Sequence, residues 1–143
     1  MFQKVDHVAI AVRSLESALQ VYTEELGFGD WSIEEIPDQK TRVALLPIGE
    51  CRIELLEATA PDSPVAVFIA RRGEVLHHIC FQVENLAEEL RKLKASGVRL
   101  IDSNPRFGAG GRLIAFIHPS SATGVLIELS QPGMSTTVHS PSE

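Results

Sequence analysis

The stretch VDHVAIAVRSLESALQVYTEELGFG, residues 5–29, decides the fold, because LHHICFQVENLAEELRKLKASGVRL, residues 76–100, repeats its design. Each stretch begins with the apolar pattern of a strand and then passes through a polar residue suited to a helix N-cap. Apolar residues at helical spacing follow, and a glycine stands where the helix should end. Shifting one copy by 71 positions places His7 on His78. The sequence therefore predicts two related halves.

Apolar hairpins downstream of the two helices carry the repeat further. RVALLPIGECRIELLE (42–57) and RLIAFIHPSSATGVLIELS (112–130) both contain Ile-Glu-Leu in their second strand. An offset of 74 places Glu54 on Glu128, and the longer turn of the second hairpin accounts for the three additional positions. One more strand is predicted between helix and hairpin in each half, at about 31–36 and 98–102. Each half is then a strand, a helix and three strands.

This pattern predicts an α+β fold in which two paired βαβββ modules form a curved, mostly antiparallel sheet. We predict one domain over residues 1–131 and a flexible tail over 132–143, where the apolar pattern stops. The parts of the domain are module one at about 4–58, a connecting helix at about 63–73 and module two at about 75–131.

Composition excludes several functional classes. The 143 residues are 44% hydrophobic and carry a net charge of −6, and no run of basic residues is longer than two, which argues against nucleic-acid binding. Apolar runs are far shorter than the ~20 residues of a membrane span. Because the first strand pattern begins by Val5, we expect no leader peptide. Cys51 and Cys80 form no CxxC pair, and a reducing, cytoplasmic location is the simpler expectation.

Strand alternation places four polar residues on sheet faces that their bulky neighbours avoid. His7 and Glu54 come from the first half, and His78 and Glu128 come from matched positions of the second. Each residue taken singly is an ordinary polar residue on a half-exposed strand. Their recurrence in both halves favours a metal site instead. Two imidazoles and two carboxylates suit a borderline divalent ion and disfavour calcium, which prefers oxygen ligands only.

The sequence resembles the vicinal oxygen chelate superfamily and, within it, the methylmalonyl-CoA epimerase family. The resemblance covers nearly the whole chain except the tail and residues 27–41. The first motif alone is typical of the superfamily, whereas the series as a whole is typical of the epimerase branch. The matching motifs are DHVAIAV (6–12), IELLEATAPDSPVAVFI (53–69), LHHICFQV (76–83), PRFGAGGRLIAFIHP (105–119) and GVLIELSQ (124–131).

The resemblance implies a metal bound by His7, Glu54, His78 and Glu128, with cobalt, zinc, manganese or nickel as the ion. It also implies an acyl-CoA substrate, a homodimer and a role as base for Glu128. Some epimerases have glutamine at the position of Glu54, where glutamate is instead similar to glyoxalase I. A second catalytic glutamate of some epimerases aligns with Val43, and valine cannot move protons.

We therefore expect a metal-dependent epimerase that inverts the α-carbon of methylmalonyl-CoA through an enolate. Glu128 is the expected base on one face of the substrate, and the symmetry of the repeat nominates Glu54 for the other. A glyoxalase I-like lactoylglutathione lyase is the first alternative, since Glu54 permits it. A metal-free module of the same superfamily that binds a small molecule is the second, although such a module needs no set of four ligands.

Several other residues have two interpretations. The glycines of the loop 106–112 suit either a phosphate cradle or a tight turn with positive φ. Cys80 shares the face of His78 and is expected to fill space as a buried thiol rather than to bind the metal. Turn geometry is the expected role of His118. Contacts with CoA phosphates or plain surface charge are the alternatives for Arg42, Arg106 and Arg112, and surface charge is the expectation for each.

Overall fold

The computed structural model describes residues 1–133, so residues 134–143 of the predicted tail lie outside the described residues. The strands are β1 (Phe2–Ala11), β2 (Ser32–Ile36), β3 (Thr41–Ile48), β4 (Cys51–Ala58), β5 (Val75–Val83), β6 (Arg106–Phe107), β7 (Leu113–Ile117) and β8 (Ile127–Gln131). The helices are α1 (Leu15–Gln20), which continues as a π-helical turn over Val21–Glu25, α2 (Pro64–Arg72) and α3 (Leu86–Ala95). No helix in this part of the chain combines the length and the apolar character that a bilayer crossing requires.

The strands form one eight-stranded sheet in the order β2-β3-β4-β1-β5-β8-β7-β6. The two halves of this order have the same pairing. β1 runs parallel to β4 and β5 runs parallel to β8, whereas the β3–β4 and β7–β8 hairpins and their outer neighbours are antiparallel. The predicted α+β class of paired modules is confirmed.

Chain contacts divide the protein into two compact units, which cut through β1 and β5. One unit is His7–His78, and the other consists of Met1–Asp6 together with the residues from Ile79 onward. The start of β1 thus packs with the second half of the sequence: Phe2 stacks on Phe81 with ring centroids 5.1 Å apart. The domain boundaries proposed from the sequence stay a prediction.

In the unit His7–His78, α1 begins directly after its capping residue, Ser14. The Ser14 hydroxyl accepts a hydrogen bond from the backbone N–H of Ser17 at 3.2 Å and so caps the helix. Leu15 and Leu19 are buried against the strand residue Leu55. The connecting helix α2 is capped in the same way by Ser63, and it ends at Gly73, whose φ of +77° a side chain would strain.

In the other unit, α3 is capped by Asn85, whose side chain accepts from the N–H of Glu88 at 3.1 Å. Its inward face packs on β5, β7 and β8. The buried core of this unit consists of Val83, Leu86, Leu90, Ala115, Ile117 and Leu129.

The prediction of a strand at 98–102 is wrong except at one position. Leu100 forms a single bridge with Ile117, and the outer strand of this half is β6 instead. The side chain of Asp102 explains the difference, because its Oδ2 accepts the backbone N–H of Phe116 at 2.8 Å. In regular strand pairing, this N–H would donate to a backbone carbonyl of the neighbouring strand. Because the Asp102 side chain accepts it instead, the chain turns away from β7.

Candidate metal centre

β1 and β4 bring His7 and Glu54 together. The strands are parallel, with Ala9 opposite Glu54 and His7 opposite Arg52, so both predicted ligands point to the same sheet face. His7 is 6% exposed and Glu54 is 8% exposed. The Nδ1 atom of His7 lies 3.5 Å from Oε2 of Glu54. This contact places the carboxylate on the Nδ1 side of the imidazole.

The other nitrogen of His7 meets the second predicted histidine. The Nε2 atoms of His7 and His78 are 3.1 Å apart, and the two buried rings meet edge to face. For this contact to be a hydrogen bond, one Nε2 must donate and the other must accept, and the tautomers of the two rings decide which. The structure thus brings together the two residues that the 71-residue repeat matches.

His77 is a partner of this pair that the sequence interpretation did not include. Its Nδ1 lies 2.9 Å from Nδ1 of His78, and its ring packs edge to face on Phe68 of α2 at 4.6 Å. Strand alternation places neighbouring residues on opposite sheet faces, so it does not predict a contact between His77 and His78. The only sequence signal for this role of His77 was its position next to His78. The contact between the two imidazoles could be recognised only in the structure, where His77 packs on α2.

Arg52 is the second residue that the sequence interpretation missed. Its Nε donates to Oε2 of Glu54 at 2.8 Å, and its Nη2 lies 3.5 Å from Nδ1 of His7. The signal was present, because Arg52 stands two positions before Glu54 and therefore shares its face.

Apolar side chains occupy the rest of this face, so the expectation that bulky residues avoid it is wrong. α2 covers the far end of the face and creates a second core there, and an amphipathic helix needs such a surface to bury its apolar side. Val43, at the position of the second family glutamate, is 3% exposed within this core. The buried members of this cluster are Ala9, Ala11, Val43, Leu56 and Val65.

Glu128, the remaining predicted ligand, belongs to the other unit. It lies on β8 opposite Cys80 of β5 and is 7% exposed. Burial, with the charge of Glu128 adding to it, raises the pKa of the Cys80 thiol. Cys80 is fully buried, and its role as a space-filling thiol stays a prediction.

Arg112 is not the plain surface charge that the sequence predicts. Its Nη2 donates to Oδ1 of Asp6 at 3.2 Å and to Oγ of Ser130 at 3.0 Å. Asp6 is 4% exposed, so the arginine compensates a buried carboxylate. Arg42 and Arg106 are likewise paired, with Glu57 and Asp102 respectively.

The glycine-rich loop forms a tight turn. Gly110 and Gly111 have φ of +69° and +75°, and the N–H of Gly108 donates to the carbonyl of Arg112 at 2.8 Å. Its use as a phosphate cradle stays a prediction. His118 is a turn residue as expected, because its Nδ1 accepts the backbone N–H of Ser120 at 3.0 Å.

The chemistry of the donor set fits a borderline divalent ion. His7, His78 and Glu128 each offer a ligand atom and each is buried. Burying a carboxylate is expensive unless a positive charge compensates it, and a divalent cation bound to these groups would supply that charge. The described residues thus contain groups that can hold a metal.

A cavity of about 350 Å³ opens on α2 beside His77. It has an apolar floor and a cationic edge, and the guanidinium of Arg72 lies 5.7 Å from the ring centroid of Phe68. The lining residues are Pro64, Val67, Phe68, Arg71, Arg72 and His77.

Comparison with known proteins agrees with this fold. Residues 6–116 match the family model of the Glyoxalase/Bleomycin resistance protein/Dioxygenase superfamily. The chain belongs to this superfamily.

Among its relatives are methylmalonyl-CoA epimerases. The ethylmalonyl-CoA/methylmalonyl-CoA epimerase of Cereibacter sphaeroides is 35% identical, over 92% of this chain and 99% of the relative. A variant of the Streptomyces coelicolor methylmalonyl-CoA epimerase, solved in complex with 2-nitronate-propionyl-CoA, has a TM-score of 0.85 at 32% identity and covers 94% of this chain and 97% of its own. The uncharacterized protein YqjC of Bacillus subtilis strain 168 is 42% identical, over 90% of this chain and 92% of its own.

Proposed function

We propose that this protein is a metal-dependent epimerase that inverts the α-carbon of methylmalonyl-CoA. The observation that carries the proposal is the buried pair His7 and His78, whose Nε2 atoms face each other at 3.1 Å beside Glu54. This donor set occurs in a chain whose relatives include epimerases along nearly its full length. A Co²⁺, Zn²⁺, Mn²⁺ or Ni²⁺ ion suits such ligands.

The proposed ligands are His7, Glu54, His78 and Glu128. Support for Glu128 comes from strand geometry, because Cys80 is its register partner and stands two residues after His78. Residues two apart on a strand share a face, so His78 and Cys80 point the same way from β5. When bound, the ion would act as a Lewis acid that stabilises negative charge on the thioester oxygen.

Proton transfer is assigned to the two glutamates. The carboxylate of Glu128 removes the α-proton from one face of the substrate, and its burial places the base in a water-poor environment. Glu54 must start protonated to give a proton to the opposite face, and proton exchange with solvent resets both carboxyl groups before the next turnover. Val43 cannot take this role. Holding the carboxylate and thioester of the substrate in one orientation would supply the positioning part of the rate enhancement.

The cavity on α2 is proposed to receive the CoA part of the substrate. Arg71 and Arg72 at its edge suit phosphate groups, whereas Arg42, Arg106 and Arg112 are engaged in ion pairs within the protein. The cavity reaches His77, which contacts the proposed ligand His78. A CoA moiety in this cavity would therefore lie close to one of the proposed ligands.

Incubation of the cobalt-loaded protein with one enantiomer of methylmalonyl-CoA in deuterated water tests the proposal. We expect deuterium at the α-carbon and loss of optical purity, followed by NMR and by a chiral coupled assay. Metal-loaded protein that exchanges no α-proton contradicts it. Turnover of the glutathione hemithioacetal of methylglyoxal in place of exchange would instead identify a lyase, the alternative that Glu54 favours.

The assembly and location are part of the proposal. We propose a cytoplasmic homodimer: Cys51 and Cys80 are both free thiols, which suits a reducing compartment, and symmetric dimers are the commonest soluble oligomers. Sedimentation analysis should give about twice the 15.6 kDa of one chain.

Binding of acyl-CoA with neither metal nor turnover would support the metal-free binding module.

A further inference from the structure

We propose that Arg52 is a positioning residue for the metal centre, which rests on the proposed metal-binding function. Arg52 fixes the Glu54 carboxylate, and Glu54 in turn orients His7. The structure joins the three side chains in sequence: Arg52 Nε to Glu54 Oε2 at 2.8 Å, and Glu54 Oε2 to His7 Nδ1 at 3.5 Å.

The tautomer of His7 determines which nitrogen can bind the metal. Coordination through Nε2, the atom that faces His78, requires a lone pair there, so the ring proton must be on Nδ1. An Nδ1 proton needs an acceptor, and Oε2 of Glu54 lies on that side of the ring. Carboxylate partners of this kind set the tautomer and ring orientation of metal-binding histidines.

Arg52 holds the Glu54 carboxylate in place beside His7. The 2.8 Å bond from Arg52 to Glu54 is a full charge-assisted hydrogen bond, whereas Nη2 of Arg52 and Oε2 of Glu54 both lie 3.5 Å from Nδ1 of His7, at the outer limit of a hydrogen bond. With the ring proton on Nδ1, Arg52 finds no acceptor on that nitrogen and acts on His7 through Glu54.

The Arg52–Glu54 pair is partly buried, and its geometry depends on arginine. The side chains of Arg52 and Glu54 are 29% and 11% exposed, so solvent screens this pair less than an exposed one. A guanidinium directs planar N–H donors at a carboxylate, whereas a lysine ammonium is a flexible point charge without that geometry. We therefore expect the R52K variant to keep the positive charge without keeping the orientation of Glu54.

Cobalt titration by calorimetry, without substrate, tests the proposal. R52M should bind Co²⁺ about 10–100-fold more weakly than the wild type, the range found when outer partners of metal ligands are lost. R42M is the matched control: it breaks the Arg42–Glu57 pair, 2.8 Å long and in the same unit, without touching His7. R42M should keep the wild-type affinity, and both variants should keep the wild-type circular dichroism spectrum.

Two further measurements separate positioning from general stability. In an E54Q background, R52M should add little to the loss of affinity, because its effect passes through Glu54. Nitrogen NMR of the zinc-loaded protein should show the His7 proton on Nδ1 in the wild type and a mixed or shifted signal in R52M. R52K should stay well below wild-type affinity.

Wild-type cobalt affinity in R52M would overturn the proposal, as would an equal loss in R42M. Full rescue by R52K would show that charge alone matters and would also overturn it. These outcomes are independent of the epimerase test, since cobalt affinity is measured without substrate. A wild-type protein that binds cobalt but exchanges no α-proton contradicts the epimerase function and leaves the role of Arg52 standing.

Discussion

Single residues show why matched repeats are informative. His7 and His78 are ordinary polar residues when taken alone, yet the 71-residue offset pairs them, and their Nε2 atoms meet at 3.1 Å. Arg52 and His77 are not among the matched pairs of the repeat, so the repeat does not identify them. They contact the predicted ligands from the side, so their roles depend on side-chain packing.

The base is tested at the scale of one residue. We expect E128Q to lower α-proton exchange about 10²–10⁴-fold, because the amide keeps the shape of Glu128 but cannot accept the proton. Cobalt content is measured in the same samples, since Glu128 is also a proposed ligand. E84Q, a change to an exposed glutamate just after β5, is the control and should leave exchange unchanged. Near wild-type exchange in metal-loaded E128Q would assign the base elsewhere.

The starts of the helices follow local sequence rules, because the capping residue determines where each helix begins. Ser14, Ser63 and Asn85 cap their helices, because each offers a side-chain oxygen to an N–H group of the first turn. The strand predicted at 98–102 failed because Asp102 takes the Phe116 N–H with its side chain. Both faces of the β1–β4 pair are covered, one by α1 and one by α2, and strand alternation alone could not show this.

The proposed CoA site is tested on α2. We expect the double variant R71E/R72E to raise KM for methylmalonyl-CoA while leaving kcat nearly unchanged, because the arginines would bind a part of the substrate that does not react. R91E on α3 is the matched control, since it reverses an exposed helix charge away from this cavity. An unchanged KM in the double variant would contradict the assignment.

The buried ion pair Asp6–Arg112 is tested by removing one partner. R112M should lower the free energy of unfolding by about 3 kcal/mol, near the lower end for buried pairs because the Arg112 side chain is 28% exposed. The loss comes from leaving the Asp6 carboxylate buried without its cation. Urea denaturation measures it. D6N/R112M should recover much of the loss, and equal stability of R112M and wild type would contradict the role.

At the scale of the whole molecule, the proposed site draws on strands from both halves of the sequence. One histidine and one glutamate come from each half, so neither half supplies the proposed ligands alone. Metal binding is then linked to the folded state, because the unfolded chain does not hold the four side chains together.

Metal removal tests this linkage. Chelation should abolish α-proton exchange, and added cobalt should restore it. Metal at about 100 times its Kd should stabilise the fold by about 2.7 kcal/mol, because it binds the native state preferentially. Thermal unfolding with and without cobalt measures the shift. The H78A variant is the control and should show a much smaller one, and stabilisation equal to that of the wild type would place the metal elsewhere.

The sequence by itself determined the paired modules, the helix caps and the strand faces that carry His7, Glu54, His78 and Glu128. These follow from periodicity, spacing and local hydrogen bonding, which act over a few residues. Only the tertiary structure decided that Arg52 anchors Glu54, that His77 reaches His78 and that Arg112 compensates Asp6. Such contacts depend on side-chain rotamers and on which element covers which face, and packing of distant segments sets both.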